Sequence, residues 1–275
     1  MHLSIESQLS CSRTWLAATR RVDALSGRSF HNVIMTVTEP SRCDETDNRI
    51  IGALNAHLAA HDKYLTSTVA NTIFPESLYR AYGTPEFYDV YIKQVCARRS
   101  HKGWGRYFER MISHPAQQGL NPLQNLIDKL RREAGRQGGV CNAYELAIPE
   151  TSLEISIYDP MRDSKAIIGG QCLSFLSFHI GPDRRLLLTA IYRNHYYIAR
   201  LLGNLIGLGR LLRFVAEQSG LQVGELSVLS THAQIDTVGS RGEIDELLKL
   251  CRAIVDDDSE APQNNSAASL IAETL

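Results

Sequence analysis

The sequence has almost no charge of one sign to spare. Its 29 lysines and arginines stand against 30 aspartates and glutamates, a formal net charge of -1. Proteins that track nucleic acid carry a basic excess to meet phosphate, so no nucleic-acid partner is expected. None of the six cysteines (Cys11, Cys43, Cys96, Cys141, Cys172 and Cys251) forms a CxxC pair or has a histidine at zinc-site spacing. No metal site is therefore expected. Met1 to Ser10 lacks a basic region followed by an apolar run, so no signal peptide is read there. An uninterrupted membrane-length apolar run is missing too. The longest apolar stretch, Ile198 to Ala216, is broken by Arg200, Arg210 and Arg213 and reads as a buried amphipathic helix. These absences predict a cytoplasmic protein of a reducing compartment with no membrane partner.

What is present suits one sizeable core. The chain has 275 residues, 44% of them hydrophobic. Helical patterning is read over Thr14–Leu25, over Asp47–Ala60 (Ile50, Ile51, Leu54, Leu58), over Pro85–Arg98 and over Pro122–Glu133. Val33–Thr38 is β-branched and alternating, a strand ending before Pro40. From Val140 the pattern changes. Cys141–Leu146, Leu153–Tyr158, Cys172–Ile180 and Leu186–Tyr192 read as strands, the last two joined at Gly181-Pro182-Asp183. A long helix to Gln218 and a strand at Glu225–Ser230 follow. Gly203, Gly207 and Gly209 are costly inside that helix and predict close packing against a strand or a partner subunit. His57, His61 and His101 read as surface residues. Residues 1–255 are expected to form one α+β domain. Residues 256–275, acidic, polar and small, are expected to form a disordered tail.

The strand bearing Cys172 pairs with one that ends at Arg193, and the helix that follows carries Asn204. A thiol, a guanidinium and an amide are thereby expected at one end of the sheet. A cysteine on an apolar strand is ordinarily a small core residue. Beside a cation it becomes a nucleophile, a guanidinium grips phosphate, and an amide offers a donor and an acceptor to a base edge.

The segment Gln171-Cys172-Leu173-Ser174-Phe175-Leu176-Ser177-Phe178 resembles the nucleophile strand of the thymidylate synthase family. Tyr192-Arg193-Asn194-His195 falls where that family has its arginine-serine phosphate motif, with Asn204 at the family's spacing. Leu221–Leu226 resembles the turn after the family's long helix, and Thr231-His232 its threonine-histidine pair. Gly27-Arg28-Ser29 resembles the phosphate-loop arginine, Gly105-Arg106-Tyr107 a glycine-tyrosine segment near the nucleotide, and Arg136 an arginine that reaches the partner's phosphate.

The resemblance implies a fold with one large mixed sheet packed with helices, forming a homodimer through the sheet. It implies a transferase acting on a pyrimidine nucleoside monophosphate. A thiolate adds to C6, and a methyl or hydroxymethyl unit passes to C5 from 5,10-methylenetetrahydrofolate. Catalysis would fall to Cys172, Arg193 and Asn204, and nucleotide binding to Arg28, Tyr107, Arg136, Arg193, Asn194, Asn204 and His232. The sequence also departs from the family. Ala53 stands at the catalytic glutamate, with Glu45, Asn55 or His57 as candidate replacements. Tyr196 stands at an aspartate three residues after the phosphate arginine, and Gln234 at a sugar-contacting tyrosine. The Gly27-Arg28 segment and the C-terminus look more like the nucleotide hydroxymethylase branch. The alternative is a nucleotide-binding protein on the same fold that has lost or altered the transfer step.

Overall fold

The computed structural model describes residues 1–97, 107–113, 120–135, 154–157 and 172–260. The chain opens with β1 (Leu3–Ser4), α1 (Cys11–Asp23), β2 (Ser29–Val37) and α2 (Glu45–Ala60). Short helices follow: α3 (Thr66–Ala70), α4 (Glu76–Tyr82), α5 (Glu86–Val90), which runs into a π-helical turn at Tyr91–Cys96, and α6 (Tyr107–Ile112). After α7 (Pro122–Ala134) come β3 (Glu154–Ser156), β4 (Leu173–Ile180), β5 (Arg185–Tyr192) and β6 (His195–Tyr196). A π-helical turn at Tyr197–Leu201 leads into α8 (Leu202–Ser219), then β7 (Gln222–Gln234) and α9 (Arg241–Glu260).

The strands form one mixed sheet in the order β1-β2-β7-β5-β4-β3, with β6 also pairing β7. β1 runs parallel to β2 and β5 parallel to β7, while the β2–β7, β4–β5 and β3–β4 pairs are antiparallel. This is the expected α+β class, a large mixed sheet packed with helices. β5 and β6 lie on the same side of β7. They behave as one strand line, interrupted at Arg193 and Asn194. The interruption sets the geometry of the site below.

Local chemistry explains the helix starts. Ser10 caps α1, and Asp44 with Asp47 makes a reciprocal capping box at α2. Arg13 clamps both ends by pairing with Asp44 at 2.8 Å. Asn121 caps α7 just before Pro122. Gly220 ends α8 in the left-handed conformation, φ 72°. One face of the sheet is buried, with Val33, Met35 and Val37 of β2, Leu226 and Val228 of β7, and Leu186, Leu188 and Ala190 of β5 in the core. Trp15 of α1 is buried and donates its ring N–H to the Tyr197 carbonyl at 2.7 Å. The opposite face carries half-buried Thr36, Leu187, Ile191 and Leu229, and exposed Ile34.

Several expectations need revision. The helix over Pro85–Arg98 is two pieces, α5 and a π-helical turn. The strand at Cys141–Leu146 and the histidine His101 lie outside the described residues. The glycines of α8 pack against α3 and a loop rather than a strand: a Cβ on Gly207 would come within 2.8 Å of the Ala70 carbonyl oxygen, and one on Gly209 would strike that of Pro40. His57 and His61 have partners, the Val238 carbonyl at 2.8 Å and Glu243 at 3.4 Å, and so dock α2 against the start of α9. The acidic run from Asp256 belongs to α9 through Glu260. Asp258 meets Arg13 at 2.9 Å and Asp257 meets Arg49 at 3.3 Å. The remainder of the expected tail lies outside the described residues.

Candidate functional site

Cys172 sits immediately before β4, where its register against β5 shifts between Leu173 and Phe175. The Arg193 N–H donates to the Cys172 carbonyl at 2.8 Å, which fixes the two backbones side by side at the break between β5 and β6. A broken strand leaves carbonyls without ladder partners. The Thr231 hydroxyl supplies one, donating to the Arg193 carbonyl at 2.8 Å and reaching that of Tyr192 at 3.3 Å. The break turns Arg193 outward, and its side chain is exposed. The next residue, Asn194, pairs through its amide oxygen with His232 Nδ1 at 2.8 Å. The His232 ring lies 5.0 Å from that of His31 on the neighbouring strand.

The Cys172 thiol is half-buried, and burial pushes its pKa above the ordinary value. The positive charges of Arg193 and Arg200 oppose that rise. Arg200 was not anticipated from the sequence. It lies in the π-helical turn before α8, and its guanidinium also stands 5.5 Å from the centre of the Tyr64 ring. Its position seven residues after Arg193 carries no pattern by itself. The turn that aims it becomes visible only when the chain is folded.

Two phenols flank the thiol. Tyr107, at the start of α6, accepts the Leu173 N–H at 3.3 Å, and burial raises its hydroxyl to about 12, with Cys172 as a second cause. Tyr192 is fully buried, and burial raises its pKa well above the ordinary value, with Tyr107 and Cys172 as further causes. Its hydroxyl has no hydrogen-bond partner among the described residues. An unmet buried hydroxyl costs about 1–3 kcal/mol, which a bound water or ligand recovers.

Behind this front lies a neutral network. The His195 ring is 1% exposed and stacks on Tyr192, with centroids 4.1 Å apart and planes 11° from parallel. Its Nδ1 is 2.9 Å from the Ser230 hydroxyl, and its Nε2 is 2.9 Å from Asn204 Nδ2. Burial lowers the His195 pKa to about 3, so the ring is neutral at physiological pH. Asn204 is buried as well. One of its two N–H donors is held by His195. Among the described residues His195 is the partner of its side chain.

The expected site residues are thus distributed unevenly. Cys172, Arg193, Asn194, Asn204, Tyr107 and His232 collect around one end of the sheet. Arg28 is held elsewhere: in a backbone with φ 50°, its Nε meets Asp23 at 2.6 Å. Among the described residues the cations acting on the thiol are Arg193 and Arg200, not Arg28. Arg136 lies outside the described residues.

The candidate replacements for the glutamate have other work. Asn55 accepts the Thr66 N–H at 2.9 Å and so starts α3, His57 holds the Val238 carbonyl, and Glu45 is exposed in the first turn of α2. Asp236, missed in the sequence, caps the turn before α8 by accepting the Ile198 N–H at 2.8 Å and the Ala199 N–H at 3.1 Å. Burial raises its pKa, while those amides and Arg200 oppose the rise. No group of three or more metal-ligating side chains occurs among the described residues. No helix among them is long and apolar enough to cross a membrane. No protein-family model matches the chain, and no curated protein matches it.

Proposed function

We propose that this protein is a divergent thymidylate-synthase-like transferase in which Cys172 adds to C6 of a pyrimidine nucleoside monophosphate and C5 then accepts a methyl or hydroxymethyl unit. One observation carries the reading: a half-buried thiol joined to an exposed arginine at a strand break, with Arg200 as a second cation. Arg193 serves the nucleotide phosphate and Arg200 the charge that develops on sulfur. The Asn204 amide, steadied by His195, meets the base edge, and Asn194 with His232 faces the sugar. As sulfur bonds to C6, the electrons of the C5–C6 double bond move to C5, giving an enolate with its charge at O4. C5 then attacks the one-carbon unit. Attack on the methylene of 5,10-methylenetetrahydrofolate would break one of its carbon–nitrogen bonds, and loss of the C5 proton would then release tetrahydrofolate and leave an exocyclic methylene. As the thiolate departs and the ring is restored, that carbon would take hydroxide from water, giving hydroxymethyl, or a hydride from the tetrahydrofolate, which becomes dihydrofolate, giving methyl.

The proton steps set the limits of the activity. Asn55, His57 and Asp236 are occupied in local structure, and Ala53 has no acid. Loss of a positioned acid or base slows a step by about 10²- to 10⁴-fold. We therefore expect ordinary nucleotide affinity, with slow transfer from 5,10-methylenetetrahydrofolate. The half-buried sheet face around Ile34, Leu187, Ile191 and Leu229 is the surface through which the homodimer would form. Sedimentation at micromolar concentration should show a dimer, which Ile34→Glu with Leu229→Glu should dissociate; a wild-type monomer removes this part of the proposal.

The test of activity is a screen of uridine and cytidine monophosphates and their deoxy forms, with and without methylenetetrahydrofolate, read by mass spectrometry. A product heavier by one carbon unit at C5 supports the transferase. Binding without adduct or product favours the non-catalytic nucleotide binder. Turnover of dUMP to dTMP at the rate of a committed synthase would show that another residue performs the proton transfers.

A further inference from the structure

A cleft of about 350 Å³ opens between the start of α2, α4 and the outer face of α8, and Arg42, Arg80, Arg210, Arg213, Glu76 and Asp47 line it. Ile206, Gly209, Arg210 and Arg213 place it on a side of α8 different from that of Asn204, which is bonded to His195. It is separate from the Cys172 group.

The charges in this cleft are unequal. Glu76 is the shared partner of three guanidiniums: Arg210 at 2.8 Å, Arg80 at 2.7 Å, and Arg213. The Glu76 side chain is 12% exposed, and Arg210 and Arg213 are 26% and 33% exposed. One carboxylate therefore serves two partly desolvated cations, Arg210 and Arg213, and the largely exposed Arg80. Among the described residues, Arg213 has a further acidic neighbour only in exposed Glu217, 3.8 Å away. Arg42, at the rim, is paired with Glu39 and Asp44. Asp47 is already engaged, accepting both the Ser10 and Ser12 hydroxyls and the backbone N–H of Asp44. Burial lowers the pKa of Arg210; Glu76 opposes that fall, and the like charges of Arg213 and Arg80 add to it.

A structural ion cluster needs charge balance. A concave site with positive charge left over attracts an anion and concentrates it. Guanidiniums present paired N–H donors whose spacing matches phosphate oxygens. The volume lies at the lower end of small-ligand sites, enough for a phosphoryl group with a small body attached. We propose that this cleft binds a small phosphorylated ligand through Arg80, Arg210 and Arg213, with Glu76 occupying the guanidiniums until the ligand arrives.

The proposal predicts an unusual sign for one substitution. If Glu76 competes with the ligand for the same guanidiniums, Glu76→Gln should tighten binding. Inorganic pyrophosphate, titrated calorimetrically into the full-length protein at low ionic strength, is the probe. Arg210→Gln with Arg213→Gln should weaken binding by about tenfold or more, as expected for lost charge-assisted hydrogen bonds. Glu76→Gln should strengthen it several-fold, and Arg193→Gln should leave this cleft's binding in place. If the paired arginine variant does not fold, Arg80→Gln, whose side chain is 71% exposed, tests the same cleft. Binding lost with Arg193→Gln but kept in the cleft variants would overturn the proposal, since it would place the anion at the Cys172 site. So would an absence of pyrophosphate binding, or weaker binding in a folded Glu76→Gln protein. The Cys172 reading stands or falls separately, on the nucleotide screen.

Discussion

Cys172 and His195 both neighbour Tyr192, yet the fold treats their ionisation in opposite ways. The His195 ring stacks on Tyr192 within the protein, among uncharged Asn204, Ser230 and Tyr197, and burial alone holds it neutral. Cys172 is only half-buried and faces two guanidiniums, so its desolvation is partly offset. The difference teaches that the break between β5 and β6 separates two environments within four residues. The outward turn at Arg193 makes a charged, accessible front. The return at His195 makes a dry support that orients Asn204. A polar group at the front keeps access to solvent, while one behind it is part of the packing.

The sharpest way to break this comparison is Cys172→Ala. It should abolish tritium release from a C5-labelled pyrimidine nucleotide while leaving thermal stability nearly unchanged. Undiminished exchange in the variant would remove the nucleophile assignment.

The reverse pattern is expected for His195→Ala. Deleting a buried ring and stranding its partners should cost about 3–5 kcal/mol in denaturant unfolding. His195 also gives a pH signature. Its folded pKa of about 3 lies below the ordinary 6.5, so the folded state binds fewer protons. The stability it contributes is complete above about pH 6.5 and falls as pH drops toward the folded value, with a slope of up to about 1.4 kcal/mol per pH unit. His195→Gln should flatten that slope. An unchanged slope would mean that the ring does not resist protonation.

The smallest effect sharpens the front. Alkylation of Cys172 should accelerate with pH up to and beyond the ordinary thiol range, because burial raises its pKa. Arg200→Gln removes one opposing cation. It should slow alkylation at pH 8 by up to about tenfold and move the profile to higher pH. A profile that does not move would show that Arg193 alone acts on the sulfur.

Much of the scaffold was legible because burial imposes a period. Ile50, Leu54 and Leu58 marked α2, Leu123, Leu126, Ile127 and Leu130 marked α7, and two apolar runs joined at Gly181-Pro182-Asp183 marked the β4–β5 hairpin. The same signal would have found α9, since Ile244, Leu247, Leu248, Cys251 and Ile254 repeat at helical spacing and are buried. Its acidic end drew attention to composition instead. There, long-range pairing decides: Asp258 reaches Arg13 across 245 residues of sequence.

The sequence by itself determined where most of the longer strands and helices fall, and it placed a cysteine, an arginine and an amide on consecutive elements. Periodicity is a local consequence of burying one face, so it is written in neighbouring residues. Only the tertiary structure decided which charges matter. It withdrew Arg28 to Asp23, spent Asn55 and Asp236 on helix starts, and brought Arg200 within electrostatic reach of the thiol. It also gathered three arginines from α4 and α8 onto the single carboxylate of Glu76. A side chain's charge and hydrogen-bonding capacity are fixed by its chemistry. The partner that uses them is fixed by the sheet break, the helix ends and the packing, and these join residues far apart in the chain.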